Sequence, residues 1–232
     1  MAGVLLALDL ETVDEAVNLA HAVKPHVAGF KIGLGLLHGE PGSIERVVEV
    51  GLPVFVDAKL HDIPAQVEQA AKQLGRRGAR WVTAHLSGGT GMLEAAVNGL
   101  AEGSGGRGGI LGVSILTSLD DDDLVAIGMN GPTGAAVERL ARMAAGVPVE
   151  GIVCSVHEVS IAREAAGDLL MVTPGIRPSA VEDHDQKRTA TVEAALRAGA
   201  DYLVVGRAIS SAADPAGVAA AIAEEMVGYT VV

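Results

Sequence analysis

Eight short runs of β-branched, leucine-rich or aromatic residues alternate with alanine-rich stretches of helical spacing. That alternation constrains the fold more than any other feature of the chain. The runs fall at residues 4–8, 27–32, 54–58, 81–84, 110–115, 151–154, 169–173 and 202–205. The first and third are nearly continuous in apolar residues, as parallel strands covered on both faces are. Helical patterns occupy residues 13–23, 44–50, 66–74, 92–100, 135–145, 159–165, 191–198 and 216–226. Thr12 and Thr189 stand where helix N-caps belong, and Pro215 after Asp214 reads as a helix opening. Gly51, Gly78 and Gly199 separate a helix from the next strand, where a left-handed stop is expected. Strict strand–helix alternation implies a parallel sheet. Eight units in 232 residues is the count of a closed (β/α)8 TIM barrel, expected here as a single domain over residues 1–232. The alternative is an open doubly wound sheet, which usually has fewer strands and a glycine-rich first turn; the first turn here, DLETVD, has no glycine.

Composition narrows the partners. A 49% hydrophobic content excludes a disordered chain. Acids outnumber bases 29 to 17, giving a formal charge of −12, and aromatics make up only 2%. Such a chain lacks both the basic footprint and the stacking rings of a nucleic-acid binder, while leaving room for a local site that takes a small anion. One cysteine, Cys154, excludes an intramolecular disulfide and paired-cysteine metal motifs. No apolar run approaches the roughly 18 residues of a membrane span. The opening MAGVLLALDLE carries Asp9 and Glu11 and no basic leader, so it does not read as a signal peptide. The expectation is a cytoplasmic protein with no membrane partner.

In a β/α barrel the loops at the carboxyl ends of the strands converge on one mouth, and here those ends are polar. The first strand ends at Asp9, the second at Lys31, the third at Asp57 and Lys59, the fourth at His85. The fifth leads to Thr117, the seventh to Pro174–Gly175 and the eighth to Gly206–Arg207. The densest segment is PVFVDAKLHDIPAQV, residues 53–67. Two-residue spacing on a strand sends Asp57 and Lys59 to the same side. With Lys31 from the neighbouring strand and Asp62 just beyond, an alternating Lys–Asp array is expected. A structural ion-pair network is the competing reading, but charges buried for stability alone gain little, because desolvation offsets attraction. The polar segment 173–188 after strand seven reads as a lid. Gly206–Arg207 before a helix is where barrels bind phosphate, through backbone N–H groups and a guanidinium fork.

Other features carry less. The glycine-rich run 103–108 precedes a strand, the wrong context for a dinucleotide fingerprint, and reads as a loop. Asp120–Asp123 reads as an acidic helix start. The seven histidines show no metal-ligand spacing, and His85 reads equally as a mouth residue or as packing. Arg76, Arg77 and Arg80 read as solvated charge at the opposite end, and Cys154 as packing.

At DAKLHDIP the sequence resembles the orotidine 5′-monophosphate decarboxylases, in their bacterial form. The resemblance runs the full chain through LALD (6–9), FKIG (30–33), SILTS (114–118), TPGIRP (173–178), DQKR (185–188) and VVGRAI (204–209). It implies conversion of orotidine 5′-monophosphate to UMP without metal or cofactor. Lys59 would be the proton donor and Asp57 would face the substrate carboxylate. Asp62 and Ile63 would reach into a second subunit's site, making a homodimer. Asp9 and Lys31 would contact the ribose and support the array. Thr117 would help hold the pyrimidine, and Pro174 would contact the substrate. Arg177, Gln186, Gly206 and Arg207 would grip the 5′-phosphate. Gln66 stands where the family commonly has threonine, so the cross-subunit ribose contact there is open. Two rivals stay in view. Magnesium-dependent sugar-phosphate decarboxylases and aldolases of the same superfamily share Asp-x-Lys-x-x-Asp but carry an acid at the end of strand two, where this chain has FKIG. A non-catalytic nucleotide-binding barrel is the other.

Overall fold

The computed structural model describes residues 3–176 and 190–229. Its eight strands are β1 (Gly3–Ala7), β2 (Gly29–Ile32), β3 (Val54–Leu60), β4 (Trp81–His85), β5 (Gly109–Val113), β6 (Gly151–Val153), β7 (Leu170–Thr173) and β8 (Tyr202–Val205). Every neighbouring pair is parallel and β8 closes onto β1, so the sheet is the expected (β/α)8 barrel.

The main outer helices are α1 (Val13–Val23), α3 (Ser43–Val48), α4 (Pro64–Arg76), α5 (Gly89–Ser104), α7 (Thr133–Ala144), α8 (Val156–Ala166), α9 (Val192–Ala198) and α11 (Pro215–Tyr229). Three short helices sit in loops at the carboxyl ends of strands: α2 (Leu34–Gly39), α6 (Asp121–Ala126) and α10 (Arg207–Ser210). Local chemistry sets the boundaries. Thr12 and Glu15 form a reciprocal capping box at the head of α1, and Asp120 with Asp123 does the same for α6. Asp214 accepts from the Gly217 N–H, 3.0 Å away, as α11 opens at Pro215. Gly51, Gly78 and Gly199 take φ of 89°, 94° and 97°, the left-handed stops expected of them. The cap of α9 is Thr191, whose hydroxyl accepts from Ala194; Thr189 lies outside the described residues.

Two cores result. The larger fills the shell between barrel and helices. The smaller lies within the barrel and comprises Leu5, Ala7, Phe55, Trp81, Leu111, Val172 and Val204, the inward register of the strands. Its amino-end floor corrects the reading of Arg80 as solvated charge. The Arg80 guanidinium forks onto Glu150, stacks 4.5 Å over the Trp81 ring, and Trp81 Nε1 donates to the same carboxylate at 3.0 Å. The cluster plugs the barrel, which the sequence could not show because Glu150 is 70 residues distant. Arg77 pairs with Glu45.

The glycine-rich run is also corrected at its start. Helix α5 continues through Gly103 to Ser104, four residues beyond the periodic pattern. A Cβ at Gly99 would lie 2.1 Å from the Glu68 carbonyl oxygen, and one at Gly103 2.1 Å from that of Lys72. These glycines let α5 press directly on the backbone of α4.

Candidate active site

At the carboxyl end of the strands a cavity of about 510 Å3 opens, within the usual range for small-molecule sites. Most strands reach it by continuing the inward register of the inner core. On β1 that register runs Leu5, Ala7 and then Asp9. On β2 it supplies Lys31, which is 8% exposed. Lys31 Nζ donates to Asp9 Oδ1 at 2.9 Å. Gly33 makes room for this pair, since a Cβ there would stand 2.7 Å from Asp9 Oδ1.

Asp57 follows Phe55 by ordinary alternation, but Lys59 reaches the cavity by a different route. Val56 pairs with Val82 and Leu60 with Ala84, so four steps along β3 face two along β4. The slack is a bulge, and Lys59 takes a left-handed φ of 48° within it. That conformation is uncommon for a residue with a side chain. It brings Lys59 Nζ to 2.6 Å from Asp57 Oδ2. The buried Thr83 completes the corner: its hydroxyl donates to Asp57 Oδ1 at 2.9 Å and accepts from the Lys59 N–H at 2.8 Å. Sequence reasoning passed over Thr83. Its signal was a polar residue in the inward register of β4, two positions before His85.

The cavity gathers Asp9, Lys31, Asp57, Lys59, Thr117, Pro174, Gly206 and Arg207 among the residues expected from sequence. Asp62, Ile63 and Gln66 do not line it. All three are exposed at the entrance to α4, and Asp62 Oδ1 accepts the Ile63 N–H at 2.6 Å. Arg177 and Gln186 lie outside the described residues. The apolar wall adds Phe55, Val113, Ile115, Val153 and Val204, which the motif reading did not name. Cys154 is in this wall; burial, then the neighbouring Glu158 carboxylate, push its thiol up to about 12, so it is an unreactive apolar filler.

His85 lies within electrostatic reach of the pair on β3, its ring 5.2 Å from that of His61. Burial first, then the charges of His61 and Lys59, hold its pKa below the ordinary imidazole value, against an opposing pull from Asp57. His85 is therefore neutral near pH 7. Among the described residues no cluster of three or more His, Cys, Asp or Glu side chains converges as a metal site.

This arrangement is two ammonium–carboxylate pairs on one side of a largely apolar chamber. Such a chamber strengthens charge interactions with a bound anion. The family described as "Orotidine 5'-phosphate decarboxylase / HUMPS family" matches residues 3–222. The chain belongs to this family. It is 48% identical over 219 residues to an orotidine 5′-phosphate decarboxylase of Anaeromyxobacter sp. (strain K), covering 94% of this chain and 95% of that one. The corresponding protein of Thermobifida fusca (strain YX) is 43% identical over 228 residues, covering 97% and 96%. Among solved structures, the orotidine 5′-phosphate decarboxylase of Lactobacillus acidophilus superposes with a TM-score of 0.86 at 34% identity, over 97% of this chain and 99% of that one. The chain is thus an enzyme, and these relatives carry the name of a carboxy-lyase. No helix among the described residues is long and apolar enough to cross a membrane.

Proposed function

We propose that this protein decarboxylates orotidine 5′-monophosphate to UMP, in pyrimidine nucleotide synthesis in the cytoplasm, using its own charges as the catalytic groups. The supporting observation is the Lys59–Asp57 contact of 2.6 Å on the wall of a chamber that also holds Lys31, Asp9, Gly206 and Arg207.

The reaction breaks the bond between C6 and its carboxylate. CO2 leaves and the electron pair stays on C6, where no carbonyl is placed to absorb it. The Lys59 ammonium stabilises that developing charge and then transfers its proton to C6, becoming neutral until solvent reprotonates it. Asp57 faces the substrate carboxylate, and that repulsion is relieved as CO2 departs. Two unit charges about 4 Å apart interact by roughly 4 kcal/mol at an effective dielectric near 20, so one ammonium does not account for the whole effect. The remainder comes from binding at distant groups. Gly206 and Arg207, with Arg177 and Gln186, hold the 5′-phosphate; Thr117 and Pro174 hold the pyrimidine; Asp9 and Lys31 meet the ribose. A homodimer supplies Asp62 and Ile63 to the neighbouring subunit's site, consistent with their exposure and their absence from the lining of their own cavity; Gln66 stands on the same exposed segment. A single barrel domain spanning residues 1–232 carries all of these groups.

The magnesium-dependent sugar-phosphate reading is disfavoured by Lys31. The end of β2 presents an ammonium bound to Asp9 where that chemistry places a carboxylate. The deciding assay follows the orotidylate absorbance with purified, chelator-treated protein. Full turnover in EDTA is expected. Turnover abolished by EDTA and restored by magnesium would favour the sugar-phosphate reading, and tight UMP binding without turnover would favour a silent nucleotide-binding barrel.

A further inference from the structure

We propose that Thr83 is a positioning residue, whose hydroxyl fixes both the orientation of the Asp57 carboxylate and the backbone from which Lys59 acts. The inference rests on the decarboxylase reading for its kinetic consequence, but its geometric basis is independent of the substrate.

A regular parallel ladder would give the Lys59 N–H a carbonyl of a neighbouring strand. The bulge between Val56 and Leu60 removes that registration. The N–H instead meets the Thr83 hydroxyl at 2.8 Å. A hydroxyl has one proton to give, and Thr83 gives it to Asp57 Oδ1, at 2.9 Å. The other Asp57 oxygen, Oδ2, accepts from Lys59 Nζ. One side chain therefore fixes the carboxylate and the left-handed turn that carries the ammonium. Thr83 is fully buried, so water does not substitute for it cheaply. It is not a wall of the cavity, and its action passes through the two residues that are.

The direction of its effect follows. Without the hydroxyl, Asp57 Oδ1 loses its donor and the Lys59 N–H its acceptor, so neither the carboxylate nor the turn is held in place. The other groups facing Asp57 are Lys59 on its own strand, Lys31 on β2 with Asp9 on β1 beside it, and His85 on β4, with His61 against His85. None of these would change in Thr83→Val, which keeps the shape and removes the hydroxyl.

The test compares wild type, Thr83→Val and Thr83→Ser. Amide hydrogen exchange at Lys59, followed by NMR, reports on the turn in the unliganded protein, where no substrate enters. Thr83→Val should exchange its Lys59 amide at least about tenfold faster than wild type, because the N–H has lost its acceptor. Its kcat for orotidylate should fall about 10- to 100-fold with KM changed by less than about threefold, because the phosphate contacts are untouched. Thr83→Ser should retain both the wild-type exchange rate at Lys59 and a kcat within about threefold of wild type. An unchanged Lys59 exchange rate in Thr83→Val overturns the inference whatever the enzyme's substrate. Equal loss of kcat in Thr83→Ser also overturns it, since the methyl and not the hydroxyl would then be the working group. If Thr83→Val fails to fold, Thr83→Ser alone decides by the same criterion. A wild type that leaves orotidylate unchanged refutes the functional reading instead, and the NMR arm still decides for or against Thr83.

Discussion

Each ammonium on the cavity wall has a carboxylate against it, Lys31 with Asp9 and Lys59 with Asp57, and this pairing governs what the chamber does to an anion. Paired charges are held in place and do not reorganise when the reaction generates new charge. At the proposed phosphate end, Arg207 is exposed at the head of α10 and Gly206 precedes it. Arg207→Ala should weaken binding of UMP by about 10- to 100-fold and leave uridine binding nearly unchanged, measured by calorimetry. Equal loss for nucleotide and nucleoside would put the phosphate elsewhere. At this scale the sequence was legible where a short motif carried the chemistry: Asp57 and Lys59 stand together on the cavity wall. It was not legible where chemistry depends on a hydrogen bond across strands. Thr83 lies 24 residues from Lys59, and nothing local marks it as that residue's partner.

Among the elements, β3 and α4 do the most to shape the site. The bulge ends β3, the exposed residues 61–66 follow, and α4 returns to pack on α5. Gly99 of α5 meets the Glu68 backbone, so α4 has no room to retreat. Gly99→Ala should force the helices apart, at a cost of about 1–3 kcal/mol. For a chain this long that lowers Tm by roughly 2–10 °C. Because α4 also carries Gln66, a fall in kcat/KM should accompany the change in Tm, and a variant unchanged in both would show that the crossing has slack. The eight strands and the outer helices were readable because buried strands and amphipathic helices have distinct periods. The short α2, α6 and α10 were harder, being 6, 6 and 4 residues long, too short to display a period. Asp120–Asp123 still announced α6 as an acidic helix start, and Asp120 and Asp123 form its capping box. The extension of α5 through Gly103 contradicts the local preference of glycine, and tertiary contact with α4 overrides it.

For the whole molecule, a formal charge of −12 would repel a phosphorylated, carboxylated substrate, so cationic groups at the barrel mouth must provide the local attraction. The proposed homodimer completes that mouth, and Ile63, 63% exposed beside Asp62, gives the contact an apolar anchor. The central claim is that the Lys59 ammonium, held against Asp57, supplies the proton to C6. Lys59→Ala tests it most directly, with turnover of orotidylate measured alone and after subunit mixing with Asp62→Ala. A fold intact by circular dichroism, turnover down by at least about a thousandfold, and recovery to about one quarter of wild type on mixing are the expected results, because half the subunits pair unlike and each such pair rebuilds one site. Near-normal turnover by Lys59→Ala alone would contradict the account.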